Sequence, residues 1–209
     1  SWRTKVHELG ETYEGQVIEE EEDNWFNYRD LAEPLANYVK DMGYTHVEFM
    51  PIYEYPLDAS WGYQPSGFFS ATSRYGSPDD LKFLIDHLHP NGIGVILDIV
   101  PVHFVSDAFA LGNYDGTALY EYPHPDVGFS EWGSYNFMHS RGEVRSFLQS
   151  MGAYWLDKFH IDGLRYDAVS RLIYWQGEED RGTIDHTILF LKNMNQGLHD
   201  RFPDVIVIA

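Results

Sequence analysis

From Asn27 onward the chain alternates between two hydrophobic rhythms. NYRDLAEPLANYVKDMG sets Leu31, Leu35, Tyr38, Val39 and Met42 at helical spacing and stops at Gly43, which predicts an α-helix with those residues on one side. THVEFMPI follows, a short apolar run that predicts a buried strand. The order then recurs. SPDDLKFLIDHLHPNG predicts a helix capped by Ser77, with Pro78 in its first position and Leu81, Leu84, Ile85 and Leu88 as its apolar stripe. Asn91 and Gly92 end it, and GVILDIV reads as the next strand. RGEVRSFLQSMGAYWLDKF, with Val144, Phe147, Leu148, Met151 and Trp155 inward, leads into the strand GLRYDAV; TIDHTILFLKNMNQGLHDRF leads into VIVIA. Helix-then-strand units whose strands are apolar on both faces predict an α/β fold, a parallel sheet with helices outside it.

Two stretches break the rhythm. Gly10 to Asn24, GETYEGQVIEEEEDN, is acidic and lacks apolar periodicity, so it reads as a solvated surface loop. Phe104 to Met138 forms a long excursion between GVILDIV and GLRYDAV, and excursions after strands are where α/β proteins carry functional loops. The whole span 1–209 reads as one domain, yet a complete α/β barrel takes about 250 residues.

Composition narrows the function. A formal net charge of −19 works against nucleic acid, whose phosphates need clustered Lys and Arg, and equally against an anionic membrane surface. The chain has no cysteine, so neither a disulfide framework nor a thiolate metal site can form. No apolar run approaches the roughly 20 residues of a membrane span, and SWRTKVHELG lacks a signal-peptide core; a cytoplasmic protein is expected. The 15 Tyr and 6 Trp suit the flat faces of sugars, although most such rings serve as core and surface filler.

The strand ends carry the chemistry. Asp98 lies within GVILDIV with His103 just beyond it, Arg165 and Asp167 lie in GLRYDAV, and THVEFMPI runs into YEYPLDASWGYQPSG. In an α/β barrel these positions converge at the C-terminal ends of the strands, where barrel active sites are built. Side chains two apart on a strand share a face, so Arg165 and Asp167 are neighbours and Tyr166 points away. An adjacent guanidinium lowers a carboxylate's pKa, which would keep Asp167 ionised as a nucleophile requires. Taken alone, the pair reads equally well as a buried ion pair that fixes packing.

DGLRYDAVS, Asp162 to Ser170, resembles the nucleophile strand of the α-amylase clan of retaining glycoside enzymes, and DIVPVH, Asp98 to His103, resembles that clan's first signature. WGYQPSG and DGTALYEYP are more specific and resemble the glycogen (1,4-α-glucan) branching enzymes; the likeness runs nearly end to end. It implies a partial (β/α)8 barrel, about strands 2 to 5 with their helices. It also implies that Asp167 is the nucleophile, that Arg165 orients and ionises it, and that Asp98 holds the Arg165 network together. His103 would bond a hydroxyl of the sugar being cleaved, Tyr63 would stack on its ring, and Trp61 and Gln64 would line the same subsite. The substrate implied is an α-1,4-glucan, with no cofactor. An α-glucan hydrolase of the same clan and a non-catalytic glucan-binding piece are the alternatives.

The sequence departs from the clan in two respects. Many amylases place Asn before the first-signature His to help bind calcium; Val102 stands there, so no metal is expected. In the family the acid/base Glu directly follows the strand matching VIVIA, beyond Ala209, and a third carboxylate and a first strand also lie outside the span. The span by itself is therefore expected to be inactive, with unpaired outer strands that favour self-association.

Overall fold

The computed structural model describes residues 25–209, so the acidic stretch Gly10 to Asn24 lies outside the described residues. Helix α1 (Tyr28–Asp41) leads into strand β1 (His46–Phe49), and an antiparallel pair, β2 (Tyr53–Glu54) and β3 (Gly67–Ala71), precedes helix α2 (Pro78–Leu88) and strand β4 (Gly94–Ile99). The excursion carries β5 (His103–Val105), the short helix α3 (Pro125–Gly128) and β6 (Ser134–Asn136). Helix α4 (Gly142–Phe159) leads into β7 (Gly163–Tyr166); the short α5 (Val169–Ile173) and the long α6 (Asp185–Arg201) precede β8 (Ile206–Ile208).

Strands β1, β4, β7 and β8 form one parallel sheet in that order. Strand order equals chain order, so the right-handed crossovers all put their helices on the same side. A doubly wound sheet would reverse and cover both faces; this winding is that of an α/β barrel opened out. Register fixes the two faces. Glu48 sits beside Ile96, Asp98 beside Arg165, and Arg165 beside Ile208, so these residues share one face. Val95, Leu97, Ile99, Leu164 and Tyr166 occupy the other and pack into the core beneath the helices.

The helices follow local chemistry. Ser77 and Asp80 form a reciprocal capping box at the start of α2, Pro78 takes its first turn, and Leu81, Leu84, Ile85 and Leu88 are buried, as the periodicity predicts. Helix α4 buries Val144, Leu148, Met151 and Trp155. In α1 the expectation is only half met. The buried stripe is Tyr28, Ala32, Leu35, Ala36 and Val39, whereas Tyr38 and Met42 are exposed. The small residues Ala32 and Ala36 turn this stripe toward the neighbouring helix α2, a preference that a search for large apolar residues overlooks.

The strand predicted from THVEFMPI exists but is not buried. His46 and Glu48 are exposed and Val47 and Phe49 half-buried, because β1 is an outer strand whose second face carries no helix. VIVIA is likewise a half-buried outer strand, whereas the interior strand β4 is covered along almost its whole length. A fully buried aromatic cluster of Tyr53, Phe68, Phe137 and Trp155 joins β3 and the excursion to α4, with Trp155 Nε1 donating to the Phe68 carbonyl at 2.9 Å. The excursion is anchored rather than loose. Strand β5 pairs with β6, and the Phe137 amide donates to the Val102 carbonyl at 2.9 Å, drawing the segment back over the end of β4. No helix among the described residues is long and apolar enough to cross a membrane.

Candidate active site

Asp98 and Arg165 are register partners at the C-terminal ends of adjacent strands. A single guanidinium nitrogen of Arg165, Nη1, donates to Asp98 Oδ2 at 3.0 Å and to Asp167 Oδ1 at 2.9 Å. The Tyr63 hydroxyl donates to the same Asp98 Oδ2 at 2.6 Å. Asp98 is 2% exposed, while the Asp167 and Arg165 side chains are 20% and 31% exposed, so the cluster is walled behind and open in front. The Asp167 amide still donates to Ile99 at 2.9 Å, completing the ladder, and Ala168 then adopts a left-handed conformation at φ 51°. For a residue with a Cβ that conformation is costly, and it ends the strand at the carboxylate the site needs.

Burial and charge pull these groups in opposite directions. Burial raises the Asp167 pKa and Arg165 opposes it; the net direction is upward from the ordinary value. Arg165 does depress this carboxyl, as its adjacency predicts, but desolvation outweighs the guanidinium, whose role is to offset it. Asp98 is also shifted upward, chiefly by burial, against the lowering pull of Tyr63 and Arg165. Burial works against the Arg165 cation, but Asp98 and Asp167 together outweigh it and keep it charged. Burial and the Asp98 contact push the Tyr63 phenol up, so it is a neutral donor.

His103 is 3% exposed, with its Nδ1 hydrogen-bonded to Ser134 Oγ across the β5–β6 pair. Burial, with Arg171 nearby, brings its pKa down to about 4, so the ring is neutral. Trp132 packs beside it, ring centroids 5.4 Å apart, and the Arg171 guanidinium lies over the Trp132 ring at 4.3 Å. Gln64 Nε2 donates to the Trp132 carbonyl at 2.9 Å, tying the WGYQPSG turn to the excursion.

Gly62 sets the position of Tyr63. Its φ is 89°, and a Cβ there would sit 2.1 Å from the Pro51 carbonyl oxygen. Only glycine fits. Trp61, before it, is also left-handed and 60% exposed; it lines an apolar groove of about 710 Å³ beside β1, with Met50, Tyr55 and Glu48 among its neighbours. Asp167, Arg165, Asp98 and Tyr63 thus form one hydrogen-bonded cluster. His103 and Gln64 meet at Trp132, and Trp61 stands on the groove. Among the described residues no group of three or more His, Cys, Asp or Glu is placed to hold a metal ion.

Sequence reasoning missed Ser134 and Trp132, which only the antiparallel return of the excursion brings to His103, and Arg171, which reaches the Trp132 ring from α5. It also missed the Tyr63–Asp98 bond, since nothing in WGYQPSG tells which way the hydroxyl turns.

The chain is similar to known proteins. The Alpha-amylase catalytic-domain model matches residues 21–115. A 1,4-alpha-glucan branching enzyme GlgB of Fusobacterium nucleatum is 48% identical over 95% of this chain and 32% of its own length; that of Methylococcus capsulatus is 44% identical over the full chain and 30% of its own. The chain is similar to α-amylase-type branching enzymes. A third relative, the GlgB branching enzyme of Cutibacterium acnes, is 50% identical over 88% of this chain and 30% of its own. This chain spans about a third of the length of these curated relatives. Among solved structures, one from Salmonella typhimurium assigned as an alpha amylase aligns with a TM-score of 0.65 at 27% identity, over 87% of this chain and 28% of that one. A Family GH13_31 enzyme aligns at 0.71 over 92% and 44%, and at 18% identity supports the fold alone.

Proposed function

We propose that the full-length protein carrying this chain is a 1,4-α-glucan branching enzyme, with residues 1–209 forming part of its catalytic domain. The observation that carries the reading is the Arg165 bridge between Asp98 and Asp167 at the ends of β4 and β7, in a chain this similar to branching enzymes. Asp167 attacks the anomeric carbon of an α-1,4-glucan, forming a covalent glucosyl ester while the departing 4-hydroxyl takes a proton from an acid. The 6-hydroxyl of an acceptor chain, giving its proton to the group that acted as acid, then displaces Asp167 as a free carboxylate with a second inversion, giving an α-1,6 branch. Arg165 keeps Asp167 oriented and offsets the burial that would protonate it. Neutral His103 is suited to exchange hydrogen bonds with a sugar hydroxyl, and Tyr63 presents its ring to the reacting glucose while its hydroxyl holds Asp98.

The role implied is glycogen biosynthesis in the cytoplasm. The span Ser1–Ala209 alone is expected to turn over no glucan. Its outer strands β1 and β8 are expected to drive self-association. The likeness to an alpha amylase favours hydrolysis as the second reading, since water can replace the acceptor hydroxyl. Incubating the full-length protein with amylose separates the readings. Branching produces α-1,6 linkages without a matching rise in reducing ends; hydrolysis raises reducing ends; a glucan-binding piece does neither.

A further inference from the structure

Gln176 lies in the turn Trp175–Gly177 that follows α5, and its backbone is left-handed at φ 55°. A residue with a Cβ holds that conformation only where its surroundings over-determine it. The side chain shows what does so here. Its Nε2 donates to the Asp126 carbonyl at 2.7 Å and to the Phe129 carbonyl at 2.9 Å, while its Oε1 accepts from Arg171 Nη1 at 3.1 Å and, at 3.4 Å, from Asn136 Nδ2. Two carbonyls meet one end of the amide and two donors meet the other, so it can sit only one way round. These contacts lead to His103. Asn136 is the register partner of His103 across β5 and β6, and Phe129 bridges to Tyr135 on β6. Arg171 lays its guanidinium over the Trp132 ring at 4.3 Å, and that ring packs beside His103. Gly177 leaves Arg171 its room, since a Cβ there would stand 2.9 Å from the Arg171 Cγ.

We propose that Gln176 is a positioning residue for the subsite of the reacting sugar: it clasps the excursion to the segment that leaves Asp167, and so fixes His103 and Trp132 relative to the nucleophile. The Trp132 segment is then held from two sides. Gln64 ties its carbonyl to the WGYQPSG turn at 2.9 Å, and the Gln176 amide ties its neighbours to the chain that continues from β7. Two nearby ion pairs, Arg181 with Asp126 at 2.6 Å and Arg171 with Glu131, join the same segments, but their carboxylates are exposed and water screens them. The amide is the directional tether. Glycine would take this backbone without steric cost, so what the glutamine adds at this position is its side chain.

The inference rests on the branching-type reading above for its effect on rate, but not for the clasp. Gln176→Gly keeps the left-handed turn and removes only the amide. In the full-length enzyme it should still melt cooperatively, yet lose about tenfold or more in kcat/KM on amylose. Gln176→Glu, of the same shape but without the two donors, should fall comparably, and it carries the same readouts if the glycine variant does not fold. Because the effect runs through His103, either substitution should cost less than about threefold in a His103→Ala background, where a merely structural loss would cost the same as before. Fluorine spectra of protein labelled with fluorotryptophan supply a readout independent of activity, Trp132 and Trp155 each being assigned by its own Phe substitution. Loss of the Gln176 amide should shift and broaden the Trp132 resonance and leave that of the fully buried Trp155 in place. If the wild type turns over no glucan, the functional reading fails while the fluorine spectra still decide the clasp. An unmoved Trp132 resonance overturns the proposal; so does wild-type kcat/KM in both variants, or an undiminished loss in the His103→Ala background.

Discussion

Tyr63→Phe separates two jobs that one side chain can do. The substitution keeps the ring and removes only the hydroxyl, which donates to Asp98 Oδ2 at 2.6 Å. Hydrogen bonds to charged acceptors contribute about 1.5–3 kcal/mol, and loss of this one leaves Arg165 as the sole donor to a carboxylate that is 2% exposed. Each 1.4 kcal/mol is tenfold, so if the whole loss reaches the transition state, kcat/KM falls about 10- to 100-fold. The sense is reinforced by protonation: the Tyr63 bond pulls the Asp98 pKa down against burial, so removing it favours the neutral acid and weakens the hold on Arg165. The assay is branching of amylose by the full-length enzyme, with melting temperature followed in parallel. Tyr63→Phe should fall mainly in kcat, and Tyr63→Ala, which also loses the stacking surface, should fall further. A Tyr63→Phe enzyme equal to wild type beside a crippled Tyr63→Ala would refute the reasoning, leaving Tyr63 as a stacking platform only.

Acid should weaken the fold through His139, which is fully buried, hydrogen-bonds the Pro101 carbonyl at 2.8 Å through Nε2 and has its pKa brought down to about 4 by burial. The unfolded chain takes a proton near 6.5 that the folded one refuses, so stability present above that pH is lost as pH falls through 6.5 toward about 4, by up to ~3 kcal/mol for this residue. Urea unfolding at pH 7 and 4.5 should show a smaller acid loss in His139→Gln than in wild type, and an equal loss counts against the assignment. Gly62→Ala must displace the Pro51 backbone and abandon a φ of 89°; a stability loss of about 1–3 kcal/mol is expected together with reduced kcat/KM, and wild-type values for both would show that the turn is tolerant.

What could be read from the sequence was whatever is local in the chain. The capping box at Ser77, the apolar stripes of α2 and α4, and the adjacency of Arg165 and Asp167 all follow from residues a few positions apart. The exposure of β1 could not be read that way, because THVEFMPI has the composition of a buried strand and its place at the edge depends on what pairs with it. The net direction of the Asp167 pKa was missed for a related reason. The guanidinium is two residues away in the chain, whereas the burial that outweighs it is contributed by the whole fold. Ser134 and Trp132 reach His103 only through the β5–β6 pairing, which nothing local in the chain announces.

Covalent trapping reports on Asp167 directly. Treating the full-length enzyme with a fluorinated α-glucosyl donor that reacts quickly and turns over slowly, then mapping the labelled peptide by mass spectrometry, identifies the nucleophile without reference to product. The geometry predicts one glucosyl adduct, on the peptide containing GLRYDAV and at Asp167, absent in Asp167→Asn. A label on Asp98, on Glu48 or outside this strand would contradict it.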